Sequence, residues 1–468
     1  MSVPRRRARP PRARRAALAP AAVVALLLAT ACAGGGDDED GALTFWTSHV
    51  TPDRIAQQEA TAHRFTQETG IAVNVVPMAA ADQNQALVTG AASGDVPDVV
   101  MLAPDQAAAW SRQGLLDTEV ATATVERLGR ATFNERALEM VTVDGTIAAV
   151  PSDGWGQVLL YREDLFAAAG LEPPETLHDV AAAAEALDTD GVAGIVLGTK
   201  PGDPFTTQTL EALLLANGCR LTDGAGEISL GSPACVEGLE LYARLAAASV
   251  PGDQDVESTR AAYLAGESAM LFWGTHIFDE LAGLAPDFPP TCDECARDPR
   301  FLADNSGVAL LADGARGGGG QYGVTLNLGV PHGADTAKAR RFIEFLLGDG
   351  YLETLGVSPE GRVPMRSGTP EEPSAFTDAW ADLPTGESEE TRTPLSRVYD
   401  EATISAILDG AGSFQRWGYG GPDAVLAGSL ASQNALVQEL GTLLSGGDAR
   451  EYAEDMTRIA EEVRTDIE

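Results

Sequence analysis

Four tryptophans stand at the ends of apolar segments or beside turn-forming residues, where a flat aromatic face can be offered to a ligand: Trp46, Trp155, Trp273 and Trp417. In similar places lie Asp105, His276, Tyr322 and Arg362. Aromatic faces cover the C–H surface of a sugar ring and polar side chains satisfy its hydroxyls, so this set has the chemistry of carbohydrate capture. Each residue also has a structural use. Tryptophan is a common core residue, Asp105 follows Pro104 where an acid favours a helix start, Tyr322 before Gly323 can pack a strand, and Arg362 reads equally as an exposed loop charge. His49, His63, His178 and His332 are read as surface or core.

Catalytic patterns are missing. The chain has no G-x-S-x-G, no H-E-x-x-H and no Walker A loop, and the glycines of 317–320 lack the following Lys-Ser/Thr of a phosphate cradle. Nothing calls for a cofactor. The 69 acidic residues permit a glycosidase-type carboxylate pair, but such a pair is defined by a separation in space that sequence does not give.

With 32 basic against 69 acidic residues the chain carries a formal charge of −37, which makes nucleic acid and anionic membrane surfaces poor partners. Seven of the arginines precede residue 16 and lead into an apolar run over 16–31, the pattern of an export signal. The run is shorter than the roughly 20 residues that span a bilayer. Leu28-Ala-Thr-Ala-Cys32 then resembles a bacterial lipobox, with Ala29 where leucine is usual, and an acidic tether over 33–40 follows. The expectation is a signal peptide over 1–31, lipidation at Cys32 and a tether over 32–42, anchoring the protein to the outer face of the cell membrane. An ordinary signal with an incidental cysteine is the alternative.

Four further cysteines, Cys219, Cys235, Cys292 and Cys295, are an even number in an oxidising compartment and allow three disulfide connectivities. The local one, Cys219 with Cys235 and Cys292 with Cys295, asks least of the fold; a four-cysteine zinc site competes with it, although only one pair has ligand spacing.

Periodicity places these residues on alternating elements. Strands are expected over 43–46, 71–76 and 98–102, with helices over 52–69, 83–92 and 104–113, and such repeated β-α units imply a parallel sheet wrapped by helices. A strand over 157–161 is followed by helices over 177–186, 205–217, 235–248, 260–264, 337–347 and 452–464. The stretches 313–320 and 364–390 read as loops. The length exceeds that of the usual single domain, so two lobes are expected.

The order of several motifs is recognisable. Gly94-Asp-Val-Pro-Asp-Val-Val100, Ala109-Trp-Ser-Arg-Gln-Gly-Leu-Leu-Asp117, residues 147–151 followed by Leu159-Leu-Tyr-Arg-Glu-Asp-Leu-Phe166, and Tyr263-Leu-Ala-Gly-Glu-Ser-Ala-Met270 resemble the family 1 extracellular solute-binding proteins of ABC transporters, the maltose-binding-protein-like group. The resemblance runs over about 43–464. It implies an α/β, two-lobed periplasmic-binding-protein fold of type II kind, each lobe a helix-flanked sheet, with crossings near Val150, near Tyr322 and around 363–366. One lobe would comprise 43–150 with 323–363 and the other 151–322 with 364–468. Ligand would lie between them: Asp105 falls where relatives place a carboxylate on sugar hydroxyls, Trp417 near an aromatic that stacks on the sugar, and Trp155 and His276 at ligand-contacting positions where the residue types differ. The function so implied is capture of a sugar or oligosaccharide by a non-catalytic monomer that hands it to membrane permease subunits. A polyamine, iron chelate or organic phosphate is the alternative ligand, and a secreted glycoside-active enzyme the alternative activity.

Overall fold

The computed structural model describes residues 41–189, 191–311, 320–386 and 391–467. The leader, the lipidation expected at Cys32, most of the tether and the loop expected over 313–320 lie outside these residues or almost wholly so. Residues 42–468 form one compact unit, and within it an α/β architecture of two lobes is organised on a nine-stranded sheet.

Its strands are β1 (Leu43–Thr47), β2 (Val73–Pro77), β3 (Val99–Leu102), β4 (Val150–Arg162), β5 (Met270–Gly274), β6 (Ser306–Ala309), β7 (Gln321–Gly329), β8 (Val363–Pro364) and β9 (Phe414–Gln415). They run in the order β8-β4-β7-β3-β1-β2, with β5 and β6 paired to β4 and β9 to β7. The expected parallel sheet is present only in part: β1 pairs in parallel with β2 and β3, whereas β7 returns antiparallel to both β3 and β4.

Local chemistry sets these elements. Alternation in Leu43-Thr-Phe-Trp-Thr buries Leu43, Phe45 and Thr47. The helix α1 (Pro52–Thr69) starts on a proline and ends at Gly70, whose φ of 76° suits a residue without Cβ. A later helix, 336–346, begins at Asp335, which accepts from the Lys338 N–H. Its Phe342 ring sits 5.4 Å from Phe45 and 5.0 Å from Phe65, both edge-on, fixing this helix against β1 and α1.

β4 is 13 residues long and begins at Val150, not at Gln157 as the sequence suggests. Gly154 and Gly156 look like turn residues but serve packing. A Cβ on Gly156 would lie 2.6 Å from the Phe414 ring, and one on Gly323 of β7 would lie 2.2 Å from it. The aromatic lies flat on the middle of the sheet, and only glycines admit it there. The strands that carry Val150, Tyr322 and Val363 meet at this point, because Gly154 pairs with Thr325 of β7 and with Val363 of β8.

Two buried clusters flank the sheet. One joins Leu43, Phe65, Trp110 and Phe342 without a break to Trp273, Cys292 and Trp380. The other gathers residues such as Leu177, Leu213, Tyr242, Trp417 and Met456. Both local disulfides are formed, Cys219–Cys235 and Cys292–Cys295. The stretch 364–390 is not all loop: Ala375–Trp380 is helical, and its last residue, the buried Trp380, ties it down by donating its ring N–H to the carbonyls of Pro359 and Arg362.

Candidate functional site

Cross-strand partners share a face of a sheet, so register sorts the residues of β4 and β7. Gly154 and Gly156 face Phe414; Trp155, paired with Val324, and Asp153, paired with Leu326, face the other way. On that second face Trp155, Val324 and Leu326 are only half-buried, and we take this open strip of the sheet as the floor of a candidate groove. The Trp155 ring lies 6.2 Å from Tyr322 and 5.4 Å from His276. His276 occupies the single turn after β5 and sits directly on Gly361, where a Cβ would come within 1.9 Å of Nδ1.

Toward one end of the floor the chain leaves β9 and lays Arg416 between two tyrosines. Its guanidinium is 4.5 Å from the Tyr322 ring centre and 5.2 Å from that of Tyr419, and Glu211 holds it in two hydrogen bonds of 2.8 and 3.2 Å. Burial raises both phenols above their ordinary range, so they stay protonated donors. No described residue bonds either hydroxyl. Asp105 lies in the first turn of the helix 104–112, facing the helix 424–432. A Cβ on Gly428 would be 3.1 Å from the Asp105 Cβ and 3.6 Å from the Tyr419 hydroxyl. The Asp105 carboxylate makes no hydrogen bond or ion pair among the described residues. It lines a cavity of about 450 Å³ between these two helices, with Asn84, Gln106, Ser429 and Ser432 on the walls.

At the other end the sheet carries a buried ion pair, Arg362 Nη1 to Asp153 Oδ2 at 3.1 Å. Arg362 is 2% exposed and Asp153 fully covered, so Arg362 is no exposed loop charge. Burial raises the Asp153 carboxyl pKa, with Arg362 and the Ser152 hydroxyl opposing it. Arg362 Nη2, Asp153 Oδ1, Thr275 Oγ1 and His49 Nε2 are buried without a partner. Burial, reinforced by Arg362 and Arg54, lowers the His49 pKa to about 2. Burial, with Arg54 and then Arg362, lowers that of His276 to about 4. Both imidazoles are therefore neutral at physiological pH.

Of the eight residues expected from sequence, Asp105, Trp155, His276, Tyr322 and Arg362 border this groove. Trp273 and Trp417 are each 6% exposed and belong to the cores. Their ring N–H groups are occupied by the carbonyls of Val256 and Cys219, respectively. Trp46 is half-buried in β1 and packs on the first core. Sequence reasoning placed His49 on the surface or in the core and passed over Arg54, Asp153 and Arg416. His49 sits in what reads as an ordinary loop and Arg54 in an ordinary first helical turn, and nothing local betrays that 150–162 and 362–364 meet.

Comparison with known proteins agrees with this architecture. The sequence model of bacterial extracellular solute-binding proteins matches residues 60–385. YcjN of Escherichia coli, named for a periplasmic-binding role in an ABC transporter, is 26% identical over 333 residues, covering 69% of this chain and 73% of its own. The GacH receptor of Streptomyces glaucescens, solved unliganded and with acarbose, superimposes with a TM-score of 0.65 at 18% identity, over 90% of this chain and 98% of that one. A cyclic alpha-maltosyl-1,6-maltose binding protein of Arthrobacter globiformis gives 0.68 at 16% identity, with the same coverage.

Proposed function

Given that this chain belongs to the bacterial extracellular solute-binding protein family, we propose that it captures a sugar or oligosaccharide in the groove over Trp155 and delivers it to the permease subunits of an ABC importer, without chemical change. The observation that carries this reading is the floor itself: a half-buried indole flanked by His276 and Tyr322, with the unbonded phenols and the unpartnered Asp105 carboxylate at one end. An apolar face beside fixed donors and acceptors is what a polyhydroxylated ring requires. The sugar-binding structural neighbours favour the same class.

On this reading 43–150 with 323–363 move as one body and 151–322 with 364–468 as the other, bending where β4, β7 and β8 meet. The protein works as a monomer outside the cytoplasm, held to the membrane by a lipid on Cys32. No helix among the described residues is long and apolar enough to cross a membrane.

Equilibrium dialysis of the full chain against mixed mono- and oligosaccharides, with polyamines, iron chelates and organic phosphates as controls, tests the assignment. A saccharide retained and recovered intact is the expected result. Retention of a control alone moves the ligand class, and recovery of hydrolysis products makes the protein an enzyme.

A further inference from the structure

A second cavity, of about 250 Å³, lies past the end of β9, with Phe414 on its wall. Phe414 covers the face of the sheet opposite Trp155, so this space is set apart from the groove floor. Its lining draws three arginines from three parts of the chain: Arg136 from the helix Glu135–Met140, Arg220 from the turn after the helix Pro204–Ala216, and Arg416 from the turn that follows β9. One carboxylate among the described residues, Glu139, shares the lining. Three guanidiniums to one acid inverts the balance of the chain, in which 69 acids face 32 bases.

Arg416 is the most firmly built of the three. Its side chain is 9% exposed. The two tyrosine rings cover its faces, and Glu211 takes Nε and Nη2. The remaining nitrogen, Nη1, makes no hydrogen bond among the described residues and, unlike Arg362 Nη2, is not fully covered. With the faces and one edge occupied, the Nη1 edge is the part left to line the cavity. Arg136 spends Nη1 on Glu139 at 2.6 Å, which leaves its other two nitrogens without a bond among the described residues. Arg220 donates Nη1 to the Cys219 carbonyl at 3.0 Å, which fixes its guanidinium beside the disulfide. Burial, and then the Arg136 charge, lower the Arg220 pKa, as like charges on one cavity do. The acids nearby are engaged: Glu139 by Arg136, Glu211 by Arg416 and the Trp417 N–H, and Asp423 by Arg464 and the Thr222 hydroxyl.

We propose that this cavity is a site for a tetrahedral oxyanion of the phosphate kind, free or as the head of a small phosphomonoester, held by Arg416 Nη1, Arg136 and Arg220. The assignment goes beyond the saccharide reading and does not depend on it. A tetrahedral dianion offers oxygens in several directions and so meets donors arriving from three sides, where a planar carboxylate meets two. Its charge also offsets the repulsion among guanidiniums that share one space. An anion seated here supplies the partner that Arg416 Nη1 lacks, and a nearly buried charged donor left unmet is costly.

Calorimetric titration of the full chain with inorganic phosphate, glycerol phosphate and acetate tests the assignment. Saturable binding of one phosphate group is expected, with acetate at least about tenfold weaker, the effect of one charge-assisted pair. Tighter binding of inorganic phosphate identifies the free ion as the ligand, and tighter binding of glycerol phosphate identifies an ester. Arg136→Gln and Arg220→Gln should each weaken phosphate binding by about tenfold, and Arg136→Lys should keep part of it. Arg136 is 43% exposed, so its replacement probes the site without disturbing a core, and thermal melts of each variant verify this. Arg458→Gln removes the same charge from an exposed helix and should leave binding unchanged. No saturable binding of either phosphate, acetate binding as tightly, phosphate binding that survives both Arg136→Gln and Arg220→Gln, or an equal loss in Arg458→Gln would overturn the site.

Discussion

The tryptophans separate by what their ring edges and faces touch. Trp155 keeps part of its face open over the groove, so Trp155→Ala is expected to weaken saccharide binding by about 1–3 kcal/mol with little change in stability. Trp273 lies 6.4 Å from Phe205 with its N–H bonded to Val256. Trp273→Ala should therefore cost about 3–5 kcal/mol of folding free energy. Calorimetry and urea denaturation of both variants measure the two effects, and the reverse pattern would exchange their roles. All four tryptophans looked alike in sequence because each ends an apolar segment or borders a turn residue. What distinguishes Trp417 is a carbonyl 198 residues away in the chain, at Cys219. Asp105 stood out because Pro104 marks a helix start, and Tyr322 because of Gly323, which lies inside β7 and admits the Phe414 ring. The buried imidazoles bring a pH dependence. Their folded pKa values lie below the ordinary 6.5, so the unfolded chain binds protons first and stability declines as pH falls below about 6.5. The His276 contribution continues down to about 4. His276→Gln should flatten the fall of stability in that window by up to about 1.4 kcal/mol per pH unit, measured as denaturation midpoints at successive pH values.

Elements with their own periodicity and caps were readable, including α1, the helix 336–346 and the strands β1–β3. Those whose sequence is shaped by a partner were not. The first half of β4 reads as a turn because its glycines answer to Phe414, more than 250 residues later in the chain. The helix Glu401–Gly412, capped by Asp400, carries Gly410 against Gln321 and lacks a clear apolar stripe for the same reason. Gly323→Ala is expected to destabilise the protein by about 1–3 kcal/mol, since its Cβ would enter the Phe414 ring; Phe414→Leu in the same chain should recover part of the loss. Thermal melts of the single and double variants decide this, and a tolerated Gly323→Ala would show that the ring can move aside. The Cys219–Cys235 bond closes a loop of 16 residues. Replacing both cysteines by serine should lower stability by about 2–4 kcal/mol, with the reduced native protein as the control.

At the scale of the whole molecule, length and the β-α alternation suggested two lobes, and the order of motifs supplied their kind. The mixed strand directions came only with the structure, since they follow from chain crossings that no local pattern records. Three strands meet where Gly154, Thr325 and Val363 pair, and the half-buried Trp155, Val324 and Leu326 lie on one face of the sheet there while Phe414 covers the other. A ligand that touches both lobes stabilises the closed arrangement only through its preference for that arrangement over the open one. Small-angle X-ray scattering of the full chain during titration with a bound saccharide measures this directly. The account predicts a contraction that saturates at one equivalent of sugar and is absent in the same titration of Trp155→Ala below its weakened affinity. Binding of the sugar with no contraction, or a contraction produced by polyamines or organic phosphates and by no saccharide, would contradict it.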